Sequence, residues 1–275
     1  MKVSTLAKYK YMLLLGSMLS IISSQTAVGA ATSDNYQKGG TMMISPLGLD
    51  NNGTCFSTFS GGTGADAFSA CVTADGNIAR FDLPSGNYIY TEGYAVCSAS
   101  GNAADAGKQS ETGWNDPTIL QPNGPNKLPL TITRTTADGV FSLVQKYAFA
   151  AASKSITVTM TLKNTSGVTQ PNVRLSRIVD ADVESFDNIM SNSRAEVVAF
   201  KDPLGAGRLS LTANTLKYPI VTSSGDYSSF PWLDCSPAAN TTTPYSGDTV
   251  GKVTYEFGSL AKNISRTVAF VYTGE

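Results

Sequence analysis

Eight residues, Ile156-Thr157-Val158-Thr159-Met160-Thr161-Leu162-Lys163, constrain this chain more than any other stretch. Apolar and polar side chains alternate without a fault. Period two places one set on a buried sheet face and the other in water. The flanking segments follow the same rule. Asp138-Gly139 is a hairpin signal of type I′ chemistry, because both residues tolerate positive φ. A turn there pairs Leu130 with Tyr147, Ile132 with Gln145, Arg134 with Leu143 and Thr136 with Phe141. A slip of one residue would mix the two faces. After Asn164-Thr165-Ser166-Gly167 a long strand carries Val173, Leu175, Val179, Ala181 and Val183 on one face, with Arg177 as the odd member.

The rest of the chain is read as an all-β, antiparallel two-sheet sandwich of about ten to twelve strands. Asn77 to Leu83 and Asn87 to Cys97 read as a hairpin around Pro84-Ser85-Gly86. Ser98 to Lys127 reads as a long polar connection. Ala195 to Phe200 and Arg208 to Ala213 read as paired strands, and Lys252 to Phe257 with Arg266 to Tyr272 as a closing hairpin. The pattern assigns residues 31–275 to one β-sandwich domain, with a loop-rich part at 31–127 and the core sandwich at 128–275.

Residues 1–30 have the order of a secretory signal peptide. Lys2, Lys8 and Lys10 precede an apolar run from Tyr11 to Ile22, and Val28-Gly29-Ala30 supplies the small-residue exit. The expectation is a secreted, periplasmic or cell-surface protein with no membrane span in its mature part. The sequence holds 20 basic and 21 acidic residues; without the three leader lysines the net charge is −4. Such a surface gives no electrostatic reason to bind nucleic acid or anionic membranes.

Four cysteines in an exported chain suggest two disulfides. Cys55 with Cys71 is the local choice, leaving Cys97 with Cys235; structural thiols or a metal site are the alternatives, and no CxxC spacing supports zinc. The chain has no histidine. That excludes Ser-His-Asp and Cys-His catalysis, histidine acid–base chemistry and His-ligated zinc. An enzyme here would work through carboxylates, Lys, Tyr or a hard cation.

Two clusters stand out as candidate sites. Asp180, Asp182 and Glu184 recur every second residue and so share a strand face at steps of about 6.6 Å. Grouped oxygen ligands suit calcium, and the spacing also meets the low end used by carboxylate-dependent glycosidases. A solvated strand face needs no ligand, because two carboxylates that far apart in water repel by only about 0.6 kcal/mol. It ranks first, a cation site second and catalysis third. Arg174 and Arg177 are the candidate partners. The second cluster is Tyr227, Phe230, Trp232 and Tyr245, with Trp114, whose rings can stack on sugars. The competing reading is a plug at one end of the core beside Cys235. Asn52, Asn164, Asn240 and Asn263 also stand in N-x-S/T sequons, which arise readily by chance in an Asn- and Thr-rich chain.

The segment ITVTMTLKNTSGVTQPNVRL, followed by YEFGSLAKNISRTVAFVY, resembles a pattern of exported bacterial immunoglobulin-like and β-supersandwich proteins. The resemblance implies a sandwich whose wide sheet face meets carbohydrate, and it carries no residue assignment. The reading is then an exported, non-enzymatic β-sandwich protein, a binding or structural module of the periplasm or cell surface. Its partner would be a glycan or an envelope protein, and no cofactor beyond calcium is implied. The alternatives are a carbohydrate-binding protein and a carboxylate-dependent carbohydrate-active enzyme.

Overall fold

A computed structural model describes the backbone of residues 43–44 and residues 54–184, 188–201, 207–235 and 244–275. They belong to one compact unit, Lys38–Glu275. The expected leader at 1–30 and the sequons at Asn52 and Asn240 lie outside the described residues. The chain is all-β and antiparallel, with three short 3-10 turns. The described residues form twenty strands rather than ten to twelve, and five of them have only two or three residues. They make three sheets, not two, of ten, six and four strands.

The large sheet is built around the alternating strand, Ser155–Asn164, hydrogen-bonded between Phe141–Ala150 and Ser265–Gly274. Ile156, Val158, Met160 and Leu162 are completely buried, while Thr157, Thr159 and Thr161 are half-exposed and Lys163 is exposed. Burying four such side chains contributes on the order of 6–12 kcal/mol before entropy is counted. The Arg174–Glu256 ion pair at the surface, 3.2 Å apart, is worth at most about 1 kcal/mol. Apolar burial therefore sets the register. The pairs Leu130 with Tyr147, Ile132 with Gln145 and Arg134 with Leu143 form as expected. The turn itself differs from type I′. Gly139 donates to the Thr136 carbonyl, and it alone of the pair has positive φ, as in a three-residue loop ending in a left-handed glycine. The Asp138 carboxylate accepts from the Val140 amide at 2.9 Å and closes it.

The six-stranded sheet centres on Gln170–Asp180, between Thr249–Leu260 and Thr91–Ser98. Its inner face presents Val173, Leu175, Val179, Val253 and Tyr255 to the large sheet. Gly251 lies at a close approach of the two layers: a Cβ there would fall 2.7 Å from Met190 Sδ. The four-stranded sheet adds Phe68 and Phe81, with Phe68 stacked on Phe149 at 4.7 Å.

Two expected hairpins are not hairpins. Ile78–Leu83 pairs with Phe68–Val72 on one side and, after the turn, only with the short Gly86–Asn87 on the other, and the chain then crosses to the six-stranded sheet as Thr91–Ser98. Thr249–Leu260 and Ser265–Gly274 also belong to different sheets. The turns 165–169 and 261–264 pass between layers, and buried Asn164 ties them together. Its side-chain amide donates to Val168 O and Leu260 O, each at 2.8 Å. Local alternation is the same whether a strand pairs with its neighbour or crosses the sandwich, so pattern alone does not separate the two. The stretch 98–127 is not one loop either: Gly101–Asp105, Glu111–Thr112 and Thr118–Leu120 are strands.

Candidate functional site

From Val173 to Val179 the odd-numbered side chains point into the sandwich. Ile178 and Asp180 point to the other face of the six-stranded sheet. That outer face is not open. The segment 226–235 crosses it and seals it at three points. Phe230 packs on Ile178 and Val250. Lys252 Nζ reaches out of the sheet to the Asp234 carbonyl at 2.8 Å. Cys235 is joined to Cys97, amid Ala95 and Ala104. Both expected disulfides, Cys55–Cys71 and Cys97–Cys235, are formed. The aromatic segment therefore covers a sheet face rather than plugging an end of the sandwich.

Where this cover stops, a cleft of about 190 Å³ opens, lined by Tyr90, Asp180, Asp182, Tyr227 and Asp248. The backbone builds it. The Tyr90 amide donates to Asp180 O at 3.0 Å and the Asp182 amide to Tyr88 O at 3.1 Å, so Tyr90 is held beside the end of the central strand. The Tyr227 amide donates to Asp248 O at 3.0 Å. Asp226 caps the short turn after it by accepting from the Ser228 amide at 2.9 Å, and it also accepts from the Tyr245 hydroxyl at 3.0 Å. The rings form a chain. Tyr90 lies edge-on to Tyr227 at 6.3 Å, Tyr227 to Trp232 at 5.6 Å and Trp232 to Phe230 at 6.0 Å. Tyr90 is 40% exposed, Tyr227 and Trp232 are half-buried, and Phe230 is the buried anchor. The Tyr227 hydroxyl accepts from the Gln109 amide.

Asp180 is only 1% exposed, and among the described residues its Oδ1 has no hydrogen-bond partner. Burial pushes its carboxyl up to about 8, and the neighbouring charges of Asp182 and Asp248 push the same way while Lys108 opposes them. Asp182 rises to about 6, again chiefly through burial and then Asp248. A buried carboxyl without a donor costs free energy in its charged form, so it keeps its proton further into neutral pH.

The structure brings Asp180 and Asp182 together but not Glu184. The central strand ends at Asp180, and Glu184 has φ +59, which breaks the alternation on which the trio rested. Glu184 instead meets Lys201 and accepts from the Tyr88 hydroxyl at 3.4 Å. The three residues named as calcium ligands are therefore not one ligand set, and Asp248, remote in sequence, is the third acid lining the cleft. Neither candidate arginine serves the site: Arg174 pairs with Glu256 and Arg177 with Glu92. Trp114 is also elsewhere. It is buried against Tyr94 at 5.5 Å, under the Arg134 guanidinium, and among the described residues it makes no ring contact with Tyr227, Phe230 or Trp232.

Asp75, Asp105 and Glu111 are the described acids whose oxygens lie close enough to share an ion. Arg134 already sits among them, at 3.7, 2.9 and 2.5 Å respectively. Its guanidinium holds the place a cation would take.

Tyr90, Lys108 and Asp248 are members of the site that sequence reading missed. They come from three separate segments, and only the pairing of strands joins them. Asn164, one of the sequons, is fully buried and structural; Asn263 is an exposed turn residue with φ +61.

No protein-family model matches the sequence, and no curated protein matches it. A bacterial glucoamylase complexed with acarbose superposes with a TM-score of 0.55 at 11% identity, over 86% of this chain and 35% of that one. The chain thus spans about a third of the glucoamylase. The Slr1438 protein from Synechocystis sp. PCC 6803 aligns with a TM-score of 0.43 at 7% identity, over 76% of this chain and 91% of that one. The first likeness establishes a shared all-β sandwich architecture and nothing narrower.

Proposed function

We propose that this is an exported carbohydrate-binding module, related to the immunoglobulin-like and supersandwich proteins of bacterial envelopes, that takes a sugar in the Asp180 cleft. One observation carries the reading: Asp180, a buried carboxyl with one oxygen that has no donor among the described residues, lines a cleft walled by Tyr90 and Tyr227. Sugars present hydroxyl donors for such oxygens and an apolar ring face for such aromatic walls. Asp182 and Asp248 supply further acceptors, and Trp232 extends the ring chain beyond the cleft. The likeness to a carbohydrate-active enzyme is consistent with this reading at the level of fold.

Affinity electrophoresis through gels containing soluble polysaccharides tests it. Retardation by at least one glycan is expected, lost in Tyr227→Ala and in Asp180→Ala while circular dichroism stays that of the parent. A protein that migrates unretarded through α-glucans, β-glucans, chitosan and xylan alike would overturn it.

A second reading, carboxylate-dependent hydrolysis, draws on the unequal Asp180 and Asp182. A carboxyl protonated near neutral pH beside one that ionises earlier is the arrangement that divides acid and base roles. Release of reducing ends from a retained glycan, abolished in Asp182→Asn, would favour it over simple binding.

A further inference from the structure

We infer that the hairpin loop 106–110 decides which sugars the cleft admits, and that buried Arg134 is the positioning residue that holds this loop; the inference rests on the carbohydrate-binding reading above. The loop joins Gly101–Asp105 to Glu111–Thr112 at one end of the six-stranded sheet. Two neighbouring side chains of it rest on the two aromatic walls. Lys108 Nζ lies 4.4 Å from the centre of the Tyr90 ring, and the Gln109 side-chain amide donates to the Tyr227 hydroxyl. Both Lys108 and Gln109 are exposed, so a sugar lying against either tyrosine meets a polar group at the edge of the ring. An aromatic wall accepts the apolar face of many sugars, whereas a few fixed polar groups beside it read the positions of the hydroxyls.

Reading hydroxyl positions requires a loop that stays in one place, and the backbone of 106–110 is pinned. The Lys108 amide donates to Thr91 Oγ1 at 3.0 Å and the Gly107 amide to Asp105 Oδ1 at 3.0 Å. The Ala106 amide donates to Ser110 O at 2.8 Å. Gly107, at φ +56, is pressed onto the neighbouring strand: a Cβ there would fall 2.5 Å from Glu92 O and 2.6 Å from Thr91 Oγ1. Thr91 directly follows Tyr90, so this contact also sets the height of Lys108 over the Tyr90 wall.

Arg134 clamps the stem from within. Asp105 and Glu111 are cross-strand partners at the base of the loop, and one guanidinium reaching over from the ten-stranded sheet donates to both. Its Nη1 lies 2.9 Å from Asp105 Oδ2 and 3.1 Å from Glu111 Oε2, and its Nη2 lies 2.5 Å from Glu111 Oε1. The other oxygen of Asp105 is the one that holds Gly107. A planar fork can fix two carboxylates at once, while a lysine ammonium is a point charge on a flexible stem. The buried cluster around Arg134 thus connects, through Asp105 and Gly107, to the two side chains that touch Tyr90 and Tyr227.

The test measures selectivity rather than affinity alone. Dissociation constants of the full chain for glycogen, barley β-glucan, xylan and chitosan are taken from affinity gels. The ratio of the weakest to the tightest constant is expected to fall at least about fivefold in Gln109→Ala, and likewise in Arg134→Lys, which keeps the buried charge but not the fork. A residue with a merely structural role would weaken all four glycans in equal proportion. Hydrogen–deuterium exchange checks the route without any glycan: in Arg134→Lys the amides of Gly107 and Lys108 should exchange at least about threefold faster, while those of Thr91–Ser98 keep their protection. Should Arg134→Lys fold poorly, Gly107→Ala, which lifts the loop and leaves the charges in place, should produce the same loss of selectivity. An unchanged ratio in Gln109→Ala or in the loop-displacing variant, or equal weakening of all four glycans, would overturn the inference and leave the carbohydrate-binding reading standing. A parent chain retarded by none of the four would overturn both.

Discussion

The two faces of the six-stranded sheet treat buried carboxylates in opposite ways. On the inner face Glu92 is wholly buried and accepts four donors. Arg177 grips it at 2.6 and 2.8 Å, the Ile78 amide donates at 2.7 Å and the Tyr272 hydroxyl at 2.6 Å. Arg177 spends its remaining donors on Gln145 and on the carbonyl of Gly76. Gly76 can offer that carbonyl because its φ of +94 suits a residue without a Cβ. Three residues beyond Arg177 on its strand and on the opposite face, Asp180 is equally buried and has an oxygen with no donor among the described residues. The first arrangement is complete and has nothing left to bind. The second is incomplete, and under the proposed function the missing donor is what a sugar would bring. Buried charge is thus evidence of a site only when its partners have been counted.

The comparison breaks most sharply on the inner face. Arg177→Met should cost about 3–5 kcal/mol of unfolding free energy, because it strands Glu92 inside the sandwich with two strong donors lost. Urea titration followed by intrinsic fluorescence measures it. Replacing both partners, Arg177→Met with Glu92→Leu, should restore most of that loss, since an apolar pair of similar volume leaves no orphaned charge. A double variant no more stable than the single one would show that the network holds the two sheets together by more than charge compensation.

The two disulfides give the next largest effect and separate stability from site geometry. Cys97–Cys235 spans 138 residues and Cys55–Cys71 spans 16. Loop-closure entropy grows with span, so Cys97→Ala with Cys235→Ala should cost about 2–4 kcal/mol and the shorter bridge about 2 kcal/mol less. Only the longer bridge anchors the segment carrying Tyr227 and Trp232. Glycan retention should therefore vanish in the first pair of variants under conditions where thermal melts show both proteins folded. It should persist when Cys55 and Cys71 are replaced. Loss of retention in both, or in neither, would detach the cleft from its anchor.

The inner face could be read from the sequence and the outer one only in part. Arg134, Gln145 and Arg177 occupy apolar positions of otherwise clean alternating segments, and all three are buried in hydrogen-bonded networks. A polar residue on an apolar face must be satisfied inside, and that much is legible from period two. The outer face hid itself because a loop covers it. Alternation made Asp180 and Asp182 look like a wet surface, yet segment 226–235 lies over that side, and nothing in local spacing says which strand face a distant loop will cover. The crossing of strands between sheets was hidden for a related reason. A four-residue turn joins paired strands or opposite layers equally well, and the choice is made by distant contacts such as those of Asn164 to Leu260. Glu184 misled because period two was carried past the end of the strand into a left-handed residue.

The smallest effect has the opposite sign, and it is the most direct measure of the difference between the faces. Asp180 holds its proton to about pH 8 in the folded protein, against an ordinary value of 3.8. Between those limits the folded state binds a proton that the unfolded chain has released, so stability falls as pH rises through the window and levels off on either side. Asp182, raised to about 6, adds to the fall at lower pH. So do Asp75, at about 6, and Asp105, at about 7, where three buried or half-buried acids share the single guanidinium of Arg134. Lys252, lowered to about 8 by burial, acts in the reverse sense only above that pH. Asparagine at position 180 keeps the shape and cannot ionise. Asp180→Asn should therefore match the parent near pH 4 and exceed it by about 1–2 kcal/mol at pH 8. Its stability curve should flatten between pH 7 and 8, where the parent's still declines. Glu92→Gln should do the reverse and lose stability, because it puts an amide donor where a carboxylate oxygen now accepts from the surrounding donors. Should both variants shift in the same direction at pH 8, the two faces would not differ in how they hold charge, and the cleft would lose its claim to an open coordination place.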